Sequence, residues 1–129
     1  MDGNLVDLRL APEPEASAQA REALRSTFGA RLPEPAFADL LTVVGELVTN
    51  AVRHGPGRPI SLRVSLDAAA GVIRGEVVDD GDASKSIPRI RESTERGGGY
   101  GLRLVDAMTS EWAVVEGSTS VRFEMPVAS

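Results

Sequence analysis

The 129-residue chain contains no cysteine, which excludes disulfides, thiolate metal sites and cysteine nucleophiles. Cationic side chains are sparse in kind: Lys85 is the sole lysine, His54 the sole histidine, and the arginines are scattered rather than clustered. With a formal net charge of -5, the chain lacks the positive patch that binds phosphate backbones, so no direct nucleic-acid partner is expected. No apolar run approaches membrane-spanning length. The N-terminus, Met-Asp-Gly-Asn-Leu-Val-Asp-Leu-Arg-Leu, has no basic region ahead of an apolar core. Neither a membrane association nor a leader is therefore expected, and a cytoplasmic protein is the default. There is no Gly-x-Ser-x-Gly elbow to accompany His54, which sets aside a serine hydrolase and leaves that histidine as a helix-end residue.

What is present is ordinary for a globular domain: 42% hydrophobic and 26% charged residues, enough for one domain over residues 1–129 with a real core. The strongest periodicity lies in residues 37–55. Phe37, Leu40, Leu41, Val44, Leu47, Val48 and Ala51 recur at three-and-four spacing, which predicts an amphipathic helix with that stripe toward a core. Gly55 and Pro56 end it. Glu46 and Asn50 stand one turn apart on the opposite face, shared with Asp39 and Val43, where they can meet a ligand.

Around this helix the chain reads as strand (4–10), helix capped by Ser17 and running to about Thr27, central helix, then an alternating strand over 59–67. Strand Val72 to Val78 follows as its antiparallel partner. Residues 83–96 have no period and contain Pro88, which predicts a long loop. A short helix with Leu102, Val105 and Met108 precedes strands at about Trp112 to Val115 and Val121 to Pro126. Adjacent strand pairs joined by hairpins predict an α/β two-layer sandwich, its sheet mixed but mostly antiparallel and its helices on one face.

Three pieces carry chemistry. On the central helix, the Glu46 carboxylate can take a proton from a hydroxyl, and the Asn50 carboxamide oxygen is a neutral hard ligand for Mg²⁺. At the end of a strand, Asp79-Asp80-Gly81 joins an acid that can accept from an exocyclic amine to a glycine that lets backbone approach a flat ligand. Finally Gly97-Gly98-Gly99-Tyr100-Gly101-Leu102 leads into a helix, where bare N–H groups suit phosphate oxygens. It is neither a P-loop, since no lysine follows, nor a dinucleotide fingerprint, since polar residues precede it.

Taken in order, Glu46-Leu-Val-Thr-Asn50-Ala-Val-Arg-His54-Gly55, Asp79-x-Gly81 and Gly97-x-Gly99-x-Gly101-Leu102 resemble the GHKL ATPase superfamily. Within it the chain is most similar to the bacterial anti-sigma factor serine/threonine kinases, from the first strand to Phe123-Glu124-Met125-Pro126. The resemblance implies a Bergerat nucleotide fold with ATP and Mg²⁺ as cofactors. It assigns Glu46 as general base, Asn50 as the Mg²⁺ ligand, and Asp79 with Gly81 as the adenine contact. Backbone N–H groups of Gly99, Tyr100, Gly101 and Leu102 are assigned to the phosphates, under a lid of about 82–98. Thr119 or Ser120 is expected to hold Asp79, and Arg89, Arg91 and Arg96 are placed to reach a γ-phosphate when the lid closes. One departure stands out: the family's Asp-x-Gly-x-Gly has Ala83 at its second glycine here, after an acidic Asp82, which puts lid hinging and nucleotide turnover in question.

The function so implied is that of a kinase in a partner switch. It holds a sigma factor and phosphorylates a serine or threonine on a STAS-domain antagonist, and it works as a homodimer. The alternatives are a GHKL module that regulates a partner without transferring phosphate, and the ATP-binding half of a histidine kinase. The second is disfavoured by the lack of dimerisation helices ahead of the first strand.

Overall fold

The computed structural model describes residues 5–79, 102–114 and 119–128. Along them run β1 (Leu5–Leu10), α1 (Ala16–Phe28), α2 (Glu34–His54), β2 (Ile60–Asp67), β3 (Val72–Val78), α3 (Leu102–Met108), β4 (Glu111–Val114) and β5 (Val121–Pro126). The strands form one sheet in the order β1-β2-β3-β5-β4. Every pairing in it is antiparallel, as the expectation of a mixed but mostly antiparallel sheet had it for most pairs. The crossover from β1 to its neighbour β2 is carried by α1 and α2, which pack on each other and onto β1 and β3.

Period-two alternation puts one set of side chains under the helices. Val6 and Leu10, Ile60, Leu62 and Val64, Ile73 and Val77, and Val121, Phe123 and Met125 are all buried on that face. They meet Ala16, Ala20, Leu24 and Phe28 of α1 and the buried stripe of α2. Each fully buried Leu, Val or Phe side chain contributes roughly 1.5–3 kcal/mol relative to exposure. Gly75 lies directly opposite Phe123 in the ladder, and the Phe123 ring occupies the space a Cβ there would need.

Helix starts differ from the sequence reading for local reasons. α1 begins at Ala16, with Glu15 as cap and no side-chain capping bond. Ser17 thus lies in the first turn instead of capping it, because a tight turn already ties the Ala16 N–H to the Glu13 carbonyl. α2 begins at Glu34, three residues before Phe37, from an extended Pro33. Pro35 is tolerated in the first turn because its missing N–H would have had no helical partner.

Burial around α2 also corrects the simple two-face picture. Val43 is fully buried and Asn50 is 8% exposed, while Phe37 of the expected stripe is only half-buried. α3 and β3 pack on α2, so the helix is covered on more than one side. At 21 residues, with a mean hydropathy of 1.2 over its most apolar 18-residue stretch, it is long and apolar enough to cross a membrane, contrary to the expectation of no such run; half of that stretch is buried within the fold.

Candidate functional site

Asp79 follows the last residue of β3, and the β3–β5 register, with Val77 opposite Val121, brings the residues just before β5 alongside it. Three hydrogen bonds result. Asp79 N–H donates to Ser120 Oγ at 3.0 Å. Thr119 N–H and Thr119 Oγ1–H both donate to Asp79 Oδ2, each at 2.8 Å. Asp79, Thr119 and Ser120 are at most 7% exposed. A buried carboxylate is costly unless hydrogen-bonded, and two charge-assisted bonds to one oxygen fix its orientation. Thr119 and Ser120 therefore both serve Asp79, one holding the carboxylate and the other the backbone.

Asn50 and Glu46 sit on α2, the amide buried and the carboxylate half-exposed. The end of this helix reaches the Asp79 clamp through Gly55. A Cβ at Gly55 would run into the Ala51 carbonyl oxygen and come within 3.2 Å of Thr119 Oγ1. The extended backbone of Gly55 and the N–H it donates to Ala51 O thus seat the helix terminus against the threonine that orients Asp79. Nothing in the local sequence pattern signals this contact, because the two residues lie on elements far apart in the chain.

Leu102 opens α3 as expected, and α3 packs against α2, in the helix layer that carries Glu46 and Asn50. Val105 is fully buried. The Trp112 indole N–H donates to Asp106 Oδ1 at 3.0 Å and pins β4 to α3. Gly81, Gly99, Tyr100 and Gly101, the expected lid at 82–98 with Asp82 and Ala83, and Arg89, Arg91 and Arg96 lie outside the described residues.

Of the expected site, the structure joins the Asp79 clamp to the end of α2 and sets α3 beside α2. Chemically this is a buried, oriented carboxylate able to accept from an amine, next to a helix bearing an amide and a second carboxylate. Among the described residues no group of three His, Cys, Asp or Glu side chains is placed to hold a metal. A divalent ion here would take its remaining ligands from a bound phosphate chain, as Mg²⁺ commonly does.

Comparison with known proteins bears on the fold and the family. The crystal structure of the RsbU and RsbW domains of Rv1364c from Mycobacterium tuberculosis matches 94% of this chain with a TM-score of 0.66 at 21% identity, a likeness of fold. The chain spans 31% of the length of that protein. A family profile described as the histidine kinase-like ATPase domain matches residues 10–125. The chain belongs to the histidine kinase-like ATPase domain family, a GHKL-type ATPase fold.

Proposed function

We propose that the chain is an ATP-dependent serine/threonine protein kinase acting as an anti-sigma regulator in a partner switch. In this reading it is cytoplasmic and homodimeric, holds a sigma factor, and phosphorylates a STAS-domain antagonist. The observation that carries the nucleotide site is the buried Asp79 held by Thr119 and Ser120, whose carboxylate is oriented by those bonds. It accepts from the adenine amino group, and Gly81 allows the close approach. Bound ATP with Mg²⁺ supplies the γ-phosphoryl group and the charge that offsets its oxygens. Asn50 ligates that ion through its carboxamide oxygen, and the N–H groups of Gly99, Tyr100, Gly101 and Leu102 receive the phosphates. Glu46, half-exposed on α2, would face the incoming hydroxyl and take its proton as the oxygen attacks the γ-phosphorus, the bond to the β–γ bridging oxygen breaks and ADP leaves.

Membership of an ATPase family and likeness to a structure containing an RsbW domain support the reading. A non-catalytic regulatory module draws its support from Ala83 and Asp82 in the adenine motif. Calorimetric titration with ATP and Mg²⁺, alongside Asp79→Asn and Asn50→Ala, tests the site. Binding that disappears in Asp79→Asn and loses its Mg²⁺ dependence in Asn50→Ala upholds it. No binding by the wild type transfers the case to the regulatory module. Transfer of labelled phosphate to a STAS-domain protein then tests the kinase reading.

A further inference from the structure

The helices cover one face of the sheet, and the opposite face is bare among the described residues. Across its middle the register aligns four side chains from adjacent strands: Asp7 opposite Arg63, Arg63 opposite Glu76, and Glu76 opposite Arg122. Their chain neighbours Val6, Leu62, Val77 and Val121 are buried on the helix side, so all four point outward. The row reads negative, positive, negative, positive. Asp7 and Arg63 make a 3.5 Å ion pair, each more than half exposed. An open hollow of about 800 Å³ lies over this ground, lined among others by Arg63, Arg74, Glu76 and Arg122.

An alternating row of even number is its own complement. Turned by a half-turn about an axis parallel to the strands and midway between β2 and β3, it presents positive to negative at every position. A half-turn about the other in-plane axis sets like against like, so the charges select one orientation. In the favoured one β2 faces β3 and β1 faces β5. The flanking row then sets Ser65 against Arg74 and Leu5 against Glu124, with no like charges opposed. Because the row sums to zero, a uniformly charged partner is repelled by half of it. An alternating surface fits it, and this chain carries one.

We infer that the open sheet face is the surface on which a second copy of this chain docks, face to face and isologously, with Arg63 against the partner's Glu76 and Asp7 against the partner's Arg122. Two twisted sheets pack this way with strands roughly aligned. The inference rests on the homodimer proposed above and adds its surface, its axis and its residue pairs.

Sedimentation analysis of the full chain, of Arg63→Glu, of Glu76→Arg and of their equimolar mixture is the test. The wild type sediments as a dimer that weakens with added salt. Either single reversal opposes two like-charge pairs across the two-fold axis and raises the dissociation constant at least about tenfold. Mixing the two variants restores the dimer, since each reversed side chain then faces the other's. An effect confined within one subunit does not give that restoration. A dimer untouched by both reversals overturns the assignment of this face while leaving the homodimer intact, as when the exposed edges of β1 pair instead. Variants that fail to recover on mixing overturn the two-fold pairing. A wild type that stays monomeric overturns the homodimer and the inference with it.

Discussion

Thr119 gives both its backbone N–H and its hydroxyl to a single oxygen of Asp79, each at 2.8 Å. The hydroxyl bond is separable from the backbone bond by mutation. Thr119→Val keeps the shape and the N–H but removes one donor from a buried carboxylate, a loss of about 1.5–3 kcal/mol. ATP affinity by calorimetry is expected to fall about tenfold or more, and Thr119→Ser to restore most of it. Equal affinity in the valine variant would remove the hydroxyl from the site.

Glu46 and Asn50 are expected to fail differently. Glu46→Ala should lower phosphoryl transfer by roughly 10²–10⁴-fold, the usual range for a general base, with ATP binding largely intact. Asn50→Ala should instead lose the Mg²⁺ dependence of binding. Single-turnover transfer and calorimetry on the same preparations separate the two, and retained transfer in Glu46→Ala would defeat the base assignment.

Two glycines test packing with opposite signs. A methyl at Gly75 meets the buried Phe123 ring, which has nowhere to go, so Gly75→Ala should cost about 1–3 kcal/mol by overpacking. Phe123→Leu in the same chain should recover part of that loss. At Gly45, inside α2, a Cβ would lie 3.0 Å from Arg21 Nη1, the far end of a long side chain. Gly45→Ala should therefore gain up to about 1 kcal/mol from helix propensity. Denaturant melts measure both.

The turn between β2 and β3 should be acid-sensitive at Asp67. Its carboxylate accepts the Ala70 N–H at 3.1 Å and the Arg74 guanidinium at 3.1 Å, and these hold its pKa below the ordinary 3.8. A depressed carboxylate pKa adds stability above its unfolded value and loses it as pH falls through the folded one. Asp67→Asn should thus lower stability at neutral pH and flatten its decline below about pH 4. The Arg74 pKa is raised further above its already high ordinary value, chiefly by its bonds to Glu124 and Asp67, and it adds no pH dependence in the working range.

Much of this protein was determined by local sequence. Three-and-four spacing marked α2, alternation marked β2, and the order of elements followed from turn residues between them, because periodicity and turn chemistry act over a few residues. The three motifs that carry the family resemblance were equally legible. Tertiary structure decided what no local pattern encodes. It chose both Thr119 and Ser120 as partners of Asp79, since β3–β5 register sets which residues meet across 40 positions of chain. It buried Val43 and Asn50 on the face read as open, in a helix that packs against α1 and α3 as well as the sheet. And it lined up Asp7, Arg63, Glu76 and Arg122 in one charged row, an alignment that exists only once four separate strands share a register.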